Sequence, residues 1–297
     1  ERPRLALEDL KRVGGFDRKA LVLITPTGTG WVDPSSIEGV EYLFRGDVAS
    51  VAVQYSYLSS PLTLFLDPET GGVTARAVFR QIYGYWRSLP KDQRPKLYLH
   101  GLSLGALNSE RSFQMFDLLE DPFDGAVWAG PPFASSQWAA ATRARNPGTP
   151  IWLPQFQDGS LVRFMNQDGS STPAGTPWGP LRAVYLQYGS DAVTFFDRDG
   201  FLREPELLRG PRPPDVSAHM TWYPVVTNLQ IGLDTSLSMS APMGFGHVYA
   251  PSDYLDAWIE AAGPGDWSPQ ELDRLRRFLD DRRRAELAGD ADETVDG

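Results

Sequence analysis

The 297-residue chain contains no cysteine and three histidines. The missing cysteines exclude disulfide bonds, thiolate catalysis and zinc sites built on cysteine ligands. The small number of histidines leaves three candidates for any imidazole base: His100, His219 and His247. A cysteine-free chain suits the cytosol and an oxidising exterior equally well, so this absence leaves the compartment open.

Long apolar runs are also missing, since no stretch of the sequence has the about 18 consecutive apolar residues of a membrane-spanning helix. Basic residues are fewer than acidic ones: 28 Lys and Arg stand against 38 Asp and Glu, which gives a net charge of −10. This charge argues against a nucleic-acid partner. The chain begins at Glu1 rather than Met, so we expect that upstream residues, which could include a signal or a membrane anchor, have been removed.

Short apolar runs alternate with helical patterns along most of the chain. Strands are predicted at 19–24, 48–57, 96–100, 123–132 and 181–191. Helices are predicted at 73–89 and 103–119, from about Ser252, and from Ser268. Because buried strands that alternate with helices are typical of a parallel sheet, we predict an α/β fold with a mostly parallel sheet and helices on both faces.

Residues 133–180 interrupt this alternation with three tryptophans, Trp138, Trp152 and Trp178, and several Gly-rich turns. We interpret the segment as an insertion, a helix followed by a hairpin, that forms a wall over a functional site. One domain is therefore predicted for residues 1–289.

The start of the last helix is clearly marked in the sequence. Ser268 is a favourable N-cap, Pro269 suits the first helical position, and Glu271 completes a capping box. The acidic residues 290–297 that end the chain are predicted to form a flexible tail.

The most informative motif is Gly101-Leu102-Ser103-Leu104-Gly105, between a predicted strand and a predicted helix. Two glycines allow a sharp turn that lifts the serine hydroxyl clear of the sheet, which is the nucleophile-elbow pattern. The helix N-terminus at this point favours a developing negative charge. We predict that Ser103 is a nucleophile, although an ordinary strand-to-helix turn would show the same glycines.

A serine nucleophile needs a histidine base. His100 precedes the motif on the strand itself, so its side chain should point away and serve packing or hydrogen bonding. His247 lies in a glycine-flanked loop late in the chain, where a base is expected. We therefore favour His247 over His219, which begins a helix-like run.

The base needs an acid that follows the serine and precedes the histidine in the chain. Asp191 follows an apolar strand and a glycine break, so it is the predicted acid. Three other aspartates remain as rivals: Asp197, Asp199 and Asp215.

An oxyanion hole needs two backbone N–H donors. The N–H of Leu104, directly after the nucleophile, is the first candidate. The second should come from the loop after an earlier strand, where Pro26 has no N–H and Thr27 or Gly28 is the candidate. This loop lacks the Gly-Lys-Ser/Thr of a P-loop and the spacing of a dinucleotide fingerprint.

The ordered set of Ser103, Asp191 and His247, with the loop at 25–30, resembles the α/β-hydrolase superfamily over about residues 18–262. That resemblance implies ester hydrolysis through an acyl-enzyme, with no metal and no organic cofactor. One departure is that Thr25 and Pro26 stand where superfamily members often have His-Gly, which puts the second oxyanion donor in doubt.

The stretches LITPTGTGWVDP (23–34) and HGLSLGA (100–106) are similar to a narrower family of bacterial membrane-anchored α/β-hydrolases. Its members have several N-terminal transmembrane helices, and some relatives are linked to hydrolysis of aminoacylated phospholipids. The resemblance implies a location at the extracytoplasmic face of a membrane, as the soluble domain of a longer protein.

The predicted function is therefore hydrolysis of carboxylic esters, of lipid or aminoacyl-lipid type. The apolar segment 55–66 and the tryptophan-rich insertion suggest a lipophilic substrate, and the negative charge would suit a cationic headgroup. Two alternatives remain: an acyltransferase of the same fold, and a non-catalytic domain that binds or scaffolds on a membrane protein.

Overall fold

The computed structural model of the protein describes residues 1–56 and 69–295. Its strands in chain order are β1 (Ala20–Thr25), β2 (Val48–Ala52), β3 (Lys96–Leu102), β4 (Gly125–Ala129), β5 (Val162–Asn166), β6 (Gly169–Ser170) and β7 (Arg182–Leu186). Within the described residues these seven strands form a single sheet in the order β2-β1-β3-β4-β7-β5-β6.

Ten α-helices lie in the described part of the chain. They are α1 (Arg2–Arg12), α2 (Pro34–Leu43), α3 (Thr70–Ser88), α4 (Leu104–Glu110), α5 (Met115–Leu118), α6 (Ser136–Arg143), α7 (Ala192–Phe195), α8 (Val226–Ser236), α9 (Pro251–Ala262) and α10 (Pro269–Val295). Short 3₁₀ helices occupy Gly15–Asp17, Arg198–Phe201, Glu206–Leu208 and Ser238–Ser240. No helix in residues 1–56 or 69–295 combines the length and the apolar character needed to cross a membrane.

The central strands run parallel, with short β6 antiparallel to β5 at one edge. Thr25 at the end of β1 pairs with Gly101 of β3. Ala129 at the end of β4 pairs with Leu102 of β3 and with Leu186 of β7. The strands β1, β3, β4 and β7 therefore end at one edge of the sheet, where a parallel sheet places its functional groups. The predicted α/β class is confirmed.

Both faces of the sheet are covered by helices, each with its own core. One core joins α1, α3, α4 and α6 through buried side chains such as Phe79, Ile82 and Trp138. The other joins α2, α9 and α10 through side chains such as Trp258 and Leu275. This arrangement explains why the central strands have continuous apolar runs, since their side chains are buried on both sides.

The helix predicted at 103–119 is interrupted in the structure. Helix α4 ends at Glu110, and the Ser112 hydroxyl bonds back to the Ser109 carbonyl at 2.7 Å. That local bond offers the backbone an alternative to the next helical turn.

The predicted capping box of the last helix is confirmed. The Ser268 N–H donates to the Glu271 carboxylate at 2.9 Å, and the Glu271 N–H donates to the Ser268 hydroxyl at 3.3 Å. From this start α10 continues to Val295, so residues 290–295 of the predicted flexible tail are helical.

Residues 133–180, named here the insertion segment, contain the expected helix, α6, and the expected hairpin, β5–β6. Strand β5 joins the main sheet beside β7 rather than standing apart from it. Each of the three tryptophan rings of the insertion segment donates a hydrogen bond. Trp138 donates to Gln187 at 2.6 Å, Trp152 to the Pro211 carbonyl at 2.8 Å, and Trp178 to the Glu260 carbonyl at 3.0 Å. The segment therefore extends the sheet and its cores.

Candidate active site

Ser103 stands at the turn between β3 and α4 with a backbone φ of 57° and ψ of −126°. A positive φ costs a residue with a Cβ about 1–3 kcal/mol and persists where the surroundings enforce it, commonly at functional sites. The Ser103 N–H donates to the Ala129 carbonyl at 3.0 Å, which ties the turn to the end of β4. The sharp turn predicted from the motif is therefore present, and its backbone is strained at Ser103.

The two glycines of the motif are required by close backbone contacts. A Cβ on Gly101 would overlap the backbone of Gly105, and a Cβ on Gly105 would overlap the carbonyl oxygen of Thr25. Helix α4 is thus seated directly on the ends of β3 and β1. Any larger side chain at either glycine would push the Ser103 turn away from the sheet.

The structure brings Asp191 and His247 together. The Nδ1 atom of His247 lies 2.7 Å from Oδ2 of Asp191, and both side chains are buried. The other ring nitrogen, Nε2 of His247, is buried and has no hydrogen-bond partner among the described residues. When Nδ1 donates to the carboxylate, Nε2 carries the lone pair of the neutral ring and can accept a proton.

Asp191 is held by several donors besides the histidine. Its Oδ1 accepts from the Val193 N–H at 2.9 Å, and its Oδ2 accepts from the Thr194 hydroxyl at 3.1 Å. The Tyr249 hydroxyl donates to the same Oδ2 at 2.7 Å. Sequence reasoning missed Tyr249, although its place two residues after His247 was a usable signal, because residues i and i+2 of an extended segment face the same side.

The two other histidines lie elsewhere. His100 is buried on β3, where Nδ1 lies 2.7 Å from the Val127 carbonyl and the ring packs 5.5 Å from that of Trp258. Burial lowers the pKa of His100 to about 4, so the ring stays neutral, in agreement with the packing role expected from sequence. His219 is exposed, and its backbone N–H bonds to the Ser217 hydroxyl.

The rival aspartates make other contacts. Asp197 caps the 3₁₀ helix Arg198–Phe201 by accepting from the Asp199 N–H. Asp215 accepts from the Ser190 hydroxyl at 2.6 Å, and that hydroxyl in turn accepts from the Gly246 N–H at 2.8 Å. Asp215 therefore braces the two residues that precede Asp191 and His247.

The three predicted oxyanion donors differ in whether the backbone N–H already has an acceptor. The N–H of Leu104, the first residue of α4, has no acceptor in the part of the chain that the structure describes. The Thr27 N–H already donates to the Trp31 carbonyl at 3.0 Å, which argues against Thr27 as the second donor. The buried Gly28 N–H has no acceptor within residues 1–56 and 69–295, so Gly28 is the better candidate.

A family model described as the alpha/beta-hydrolase family matches residues 1–275. The chain belongs to the alpha/beta-hydrolase family. A comparison with curated proteins finds no match.

Solved structures similar to this α/β-hydrolase are distant. A Trichoderma reesei cutinase in complex with a phosphonate inhibitor has a TM-score of 0.34 and 12% identity, over 65% of this chain and 74% of that chain. An acetylxylan esterase has a TM-score of 0.34 and 12% identity, over 59% and 84% of the two chains. A cutinase-like protein from Cryptococcus sp. has a TM-score of 0.33 and 13% identity, over 60% and 80%.

A cavity of about 420 Å³ in the α/β-hydrolase opens beside Ser103 and His247, the predicted nucleophile and base. Its apolar lining residues are Trp31, Leu102, Leu104, Pro132, Phe133, Val193 and Met239. Its hydroxyl-bearing lining residues are Thr27, Thr29, Thr235, Ser236 and Ser238. Apart from His247, no ionisable side chain of the described residues lines this cavity, which fits an uncharged ligand.

The wall of the cavity differs from the one expected from sequence. Phe133 is the one residue of the insertion segment that lines it, and the tryptophans of that segment pack into the cores instead. The other wall comes from residues 191–247, named here the cap segment. Segment 55–66, also expected at the entrance, lies outside the described residues except for Tyr55 and Ser56.

Among the described residues, no group of three or more His, Asp or Glu side chains could hold a metal ion. The chemistry available at the cavity is that of a hydroxyl, an imidazole with a free nitrogen, a buried carboxylate and backbone N–H donors. These are the groups used in acyl transfer through a serine.

Proposed function

We propose that this α/β-hydrolase is a serine hydrolase that cleaves carboxylic esters through an acyl-enzyme. The observation that carries this proposal is the His247 ring, which is bonded through Nδ1 to buried Asp191 and has Nε2 unpartnered among the described residues. The same ring lines one cavity with Ser103, which is held at a strained strand-to-helix turn.

In the first half-reaction, the Ser103 hydroxyl oxygen attacks the ester carbonyl carbon while Nε2 of His247 takes the hydroxyl proton. The carbonyl oxygen becomes an oxyanion, for which the N–H groups of Leu104 and Gly28 are the proposed donors. The carbon–oxygen bond to the alcohol then breaks, and the imidazolium returns the proton to the leaving alcohol. The acyl group remains on Ser103.

In the second half-reaction, a water molecule replaces the alcohol. His247 takes a proton from the water as its oxygen attacks the acyl carbon, and the proton is returned to Ser103 when the acid is released. Asp191 holds the tautomer with the proton on Nδ1 and stabilises the imidazolium. Tyr249 contributes by fixing the carboxylate that does so.

For the substrate, we propose a neutral ester with a lipophilic acyl chain, such as a glycerolipid. The apolar side of the cavity would shelter the chain, and each buried methylene is worth about 0.8 kcal/mol. An acyl-chain series should therefore show kcat/KM rising with length until the cavity is full. A preference for acetyl esters would contradict the lipid assignment.

An aminoacyl lipid is the second candidate substrate, and the net charge of −10 favours it. No carboxylate of the described residues lines the cavity, so the attraction would be long-range. Such an attraction weakens with salt, because the Debye length is about 8 Å at physiological ionic strength. Hydrolysis of a cationic ester that is unaffected by salt would remove this candidate.

The narrower resemblance to membrane-anchored hydrolases, and with it a location at the extracytoplasmic face of a membrane, is also proposed here. Its support is the pair of stretches 23–34 and 100–106. Accessibility of the full-length protein to protease added outside intact cells tests the location, and complete protection would contradict it.

The acyltransferase alternative uses the same acyl-enzyme with an alcohol or amine in place of water. Product analysis with and without an added acceptor separates the two activities. A non-catalytic binding domain is tested by a fluorophosphonate probe, which should label the wild-type protein at Ser103.

Ser103→Ala tests the proposed function directly. We expect kcat on a p-nitrophenyl ester to fall by about 10³-fold or more, with the melting temperature nearly unchanged. Ser240→Ala, at an exposed serine, is the control and should retain full activity. Retention of most activity by Ser103→Ala would remove Ser103 as the nucleophile.

A further inference from the structure

Helix α8, which borders the cavity, turns an apolar stripe toward solvent. Three leucines and a valine at helical spacing are more than half exposed: Val226 at 54%, Leu229 at 55%, Leu233 at 65% and Leu237 at 62%. A surface helix of a soluble domain normally buries its apolar face and exposes its polar one. In α8 the apolar stripe faces outward.

The face of α8 that packs against the protein carries two polar side chains, Thr227 and Asn228, beside one apolar side chain, Ile231. Thr227 and Asn228 are almost fully buried, and the Asn228 amide donates to the Asp197 carbonyl at 2.9 Å. The Thr235 hydroxyl lies 3.3 Å from the Ala192 carbonyl. These bonds orient the helix, so the outward position of its leucines is a consequence of specific contacts.

The sequence around α8 is almost free of charge. Residues 220–246 contain one charged side chain, Asp234, whereas charged residues make up 22% of the whole chain. Exposed apolar surface without interspersed charge is typical of an interaction site. It fits a surface that is itself apolar and uncharged.

The apolar surface continues into the cavity. Thr235, Ser236 and Ser238 line the cavity from α8 and from the turn after it. Met239 both lines the cavity and is 55% exposed, so it joins the outer surface to the interior. We define the α8 patch as Val226, Leu229, Leu233, Leu237 and Met239.

We propose that the α8 patch docks the protein on the surface of a zwitterionic lipid bilayer, with the leucines in the acyl-chain boundary and the cavity mouth facing the lipid. This inference rests on the proposed function, because a bilayer is the partner that covers the mouth and also supplies the ester through it. A protein partner seated on the patch would close that path. An anionic bilayer would repel a chain of charge −10, so the lipid headgroups are zwitterionic.

The test measures cosedimentation of the Ser103→Ala protein with phosphatidylcholine vesicles, so that no hydrolysis accompanies binding. We expect binding by this parent, and a loss of partitioning of about tenfold or more when Leu229→Glu and Leu233→Glu are added. Leu119→Glu is the matched control and should leave partitioning unchanged. Leu119 is 70% exposed and lies close to Asp121, which pairs with Arg94 just before β3, at the opposite edge of the sheet.

Three results would overturn the docking proposal. The first is that the parent protein does not bind vesicles at millimolar lipid, and the second is that binding survives both Leu→Glu changes. The third is that the protein does not bind vesicles but forms a dimer in solution, which the two changes dissociate. The last result would assign the patch to a second copy of this chain.

The proposed function is judged separately, on a soluble p-nitrophenyl ester with Ser103 intact. Leu229→Glu and Leu233→Glu should leave that activity unchanged, because neither leucine lines the cavity. Vesicle binding without ester hydrolysis would uphold docking and refute the function, and hydrolysis without vesicle binding would do the reverse.

Discussion

The insertion segment and the cap segment both interrupt the alternation of strands and helices, yet they behave in opposite ways. The insertion segment carries the conspicuous aromatic residues and buries or anchors them, with every tryptophan N–H in it bonded to an acceptor. The cap segment has a single tryptophan, Trp222, and exposes Leu229, Leu233 and Leu237 beside the cavity. Tryptophan content therefore predicted burial correctly and the location of the site incorrectly.

What places the cap segment at the site is its position in the chain. It starts at Asp191, which residues 187–190 separate from the end of β7, and ends at His247, before α9. Because the parallel strands end at one edge, residues that follow them meet at that edge whatever their hydrophobicity. Changes at the two ends of the cap segment, Asp191 and His247, should therefore change activity, whereas changes in the insertion segment should change stability.

The largest effect is expected for Asp191→Asn at the start of the cap segment. The asparagine amide favours the wrong tautomer of His247, so kcat should fall by up to about 10⁴-fold with little change in KM. Asp197→Asn, in the same segment but at a local 3₁₀ cap, is the control and should stay active. Steady-state kinetics on a p-nitrophenyl ester measures both, and an active Asp191→Asn would show that the wrong aspartate was chosen.

Trp138→Ala tests the insertion segment. The ring is buried, bonds to Gln187 and packs 6.0 Å from that of Phe195, so its loss should lower the free energy of unfolding by about 3–5 kcal/mol. Urea denaturation measures this change, and kcat of the folded protein should be nearly unchanged. A lower kcat at unchanged stability would mean that the insertion acts in the site and would break the comparison.

Glu110→Gln probes the point where the insertion meets the helix of the nucleophile. The Gln137 N–H donates to the Glu110 carboxyl at 3.1 Å, and the Tyr185 hydroxyl donates to it at 2.8 Å. Burial raises the pKa of Glu110 from 4.5 to about 7, which corresponds to about 3 kcal/mol. Between pH 4.5 and about 7, the folded protein therefore keeps a proton on Glu110 that the unfolded chain has lost.

The sign of the effect follows from that proton. The contribution of Glu110 to stability is fully present below pH 4.5 and is lost as pH rises through about 7. Glu110→Gln should flatten this fall by up to about 3 kcal/mol in urea titrations at several pH values. Asp253→Asn is a useful comparison, because burial also raises the pKa of Asp253, on α9, to about 7. An unchanged pH profile in Glu110→Gln would contradict the assignment.

Tyr249→Phe gives the smallest expected effect and tests whether the hydrogen bond from Tyr249 to Asp191 contributes to catalysis. Removing one hydrogen bond to a carboxylate costs about 1.5–3 kcal/mol, and part of this should appear as a loss of about tenfold in kcat. KM should be unchanged, since Tyr249 does not line the cavity. A loss confined to the melting temperature would make Tyr249 merely structural.

The sequence predicted the parts of the site that depend on local pattern. The Gly101–Gly105 motif identified the sharp turn at Ser103, and the strand-end rule singled out Asp191, which the structure places against His247. Thr27 could not be judged from pattern, because its N–H is taken by the Trp31 carbonyl in a turn of the loop.

Other features depend on contacts between distant parts of the chain. Strand β5 was not foreseen as a neighbour of β7, since strand pairing is decided by packing that no local window contains. The outward stripe of α8 was equally hidden, because the polar bonds of Asn228 and Thr235 decide which face turns inward.

The contact of Gly105 with the Thr25 carbonyl has a consequence for motion. Backbone meets backbone there without an intervening side chain, so α4 and the end of β1 form a stiff joint. Thermal displacement of the nucleophile must carry the 25–28 loop with it, and the spacing between Ser103 and the proposed oxyanion donors is preserved. Slow opening and closing is then left to the cap, so we expect amide hydrogen exchange to be slow at Leu107, whose N–H donates to the Ser103 carbonyl at 3.2 Å, and fast across α8.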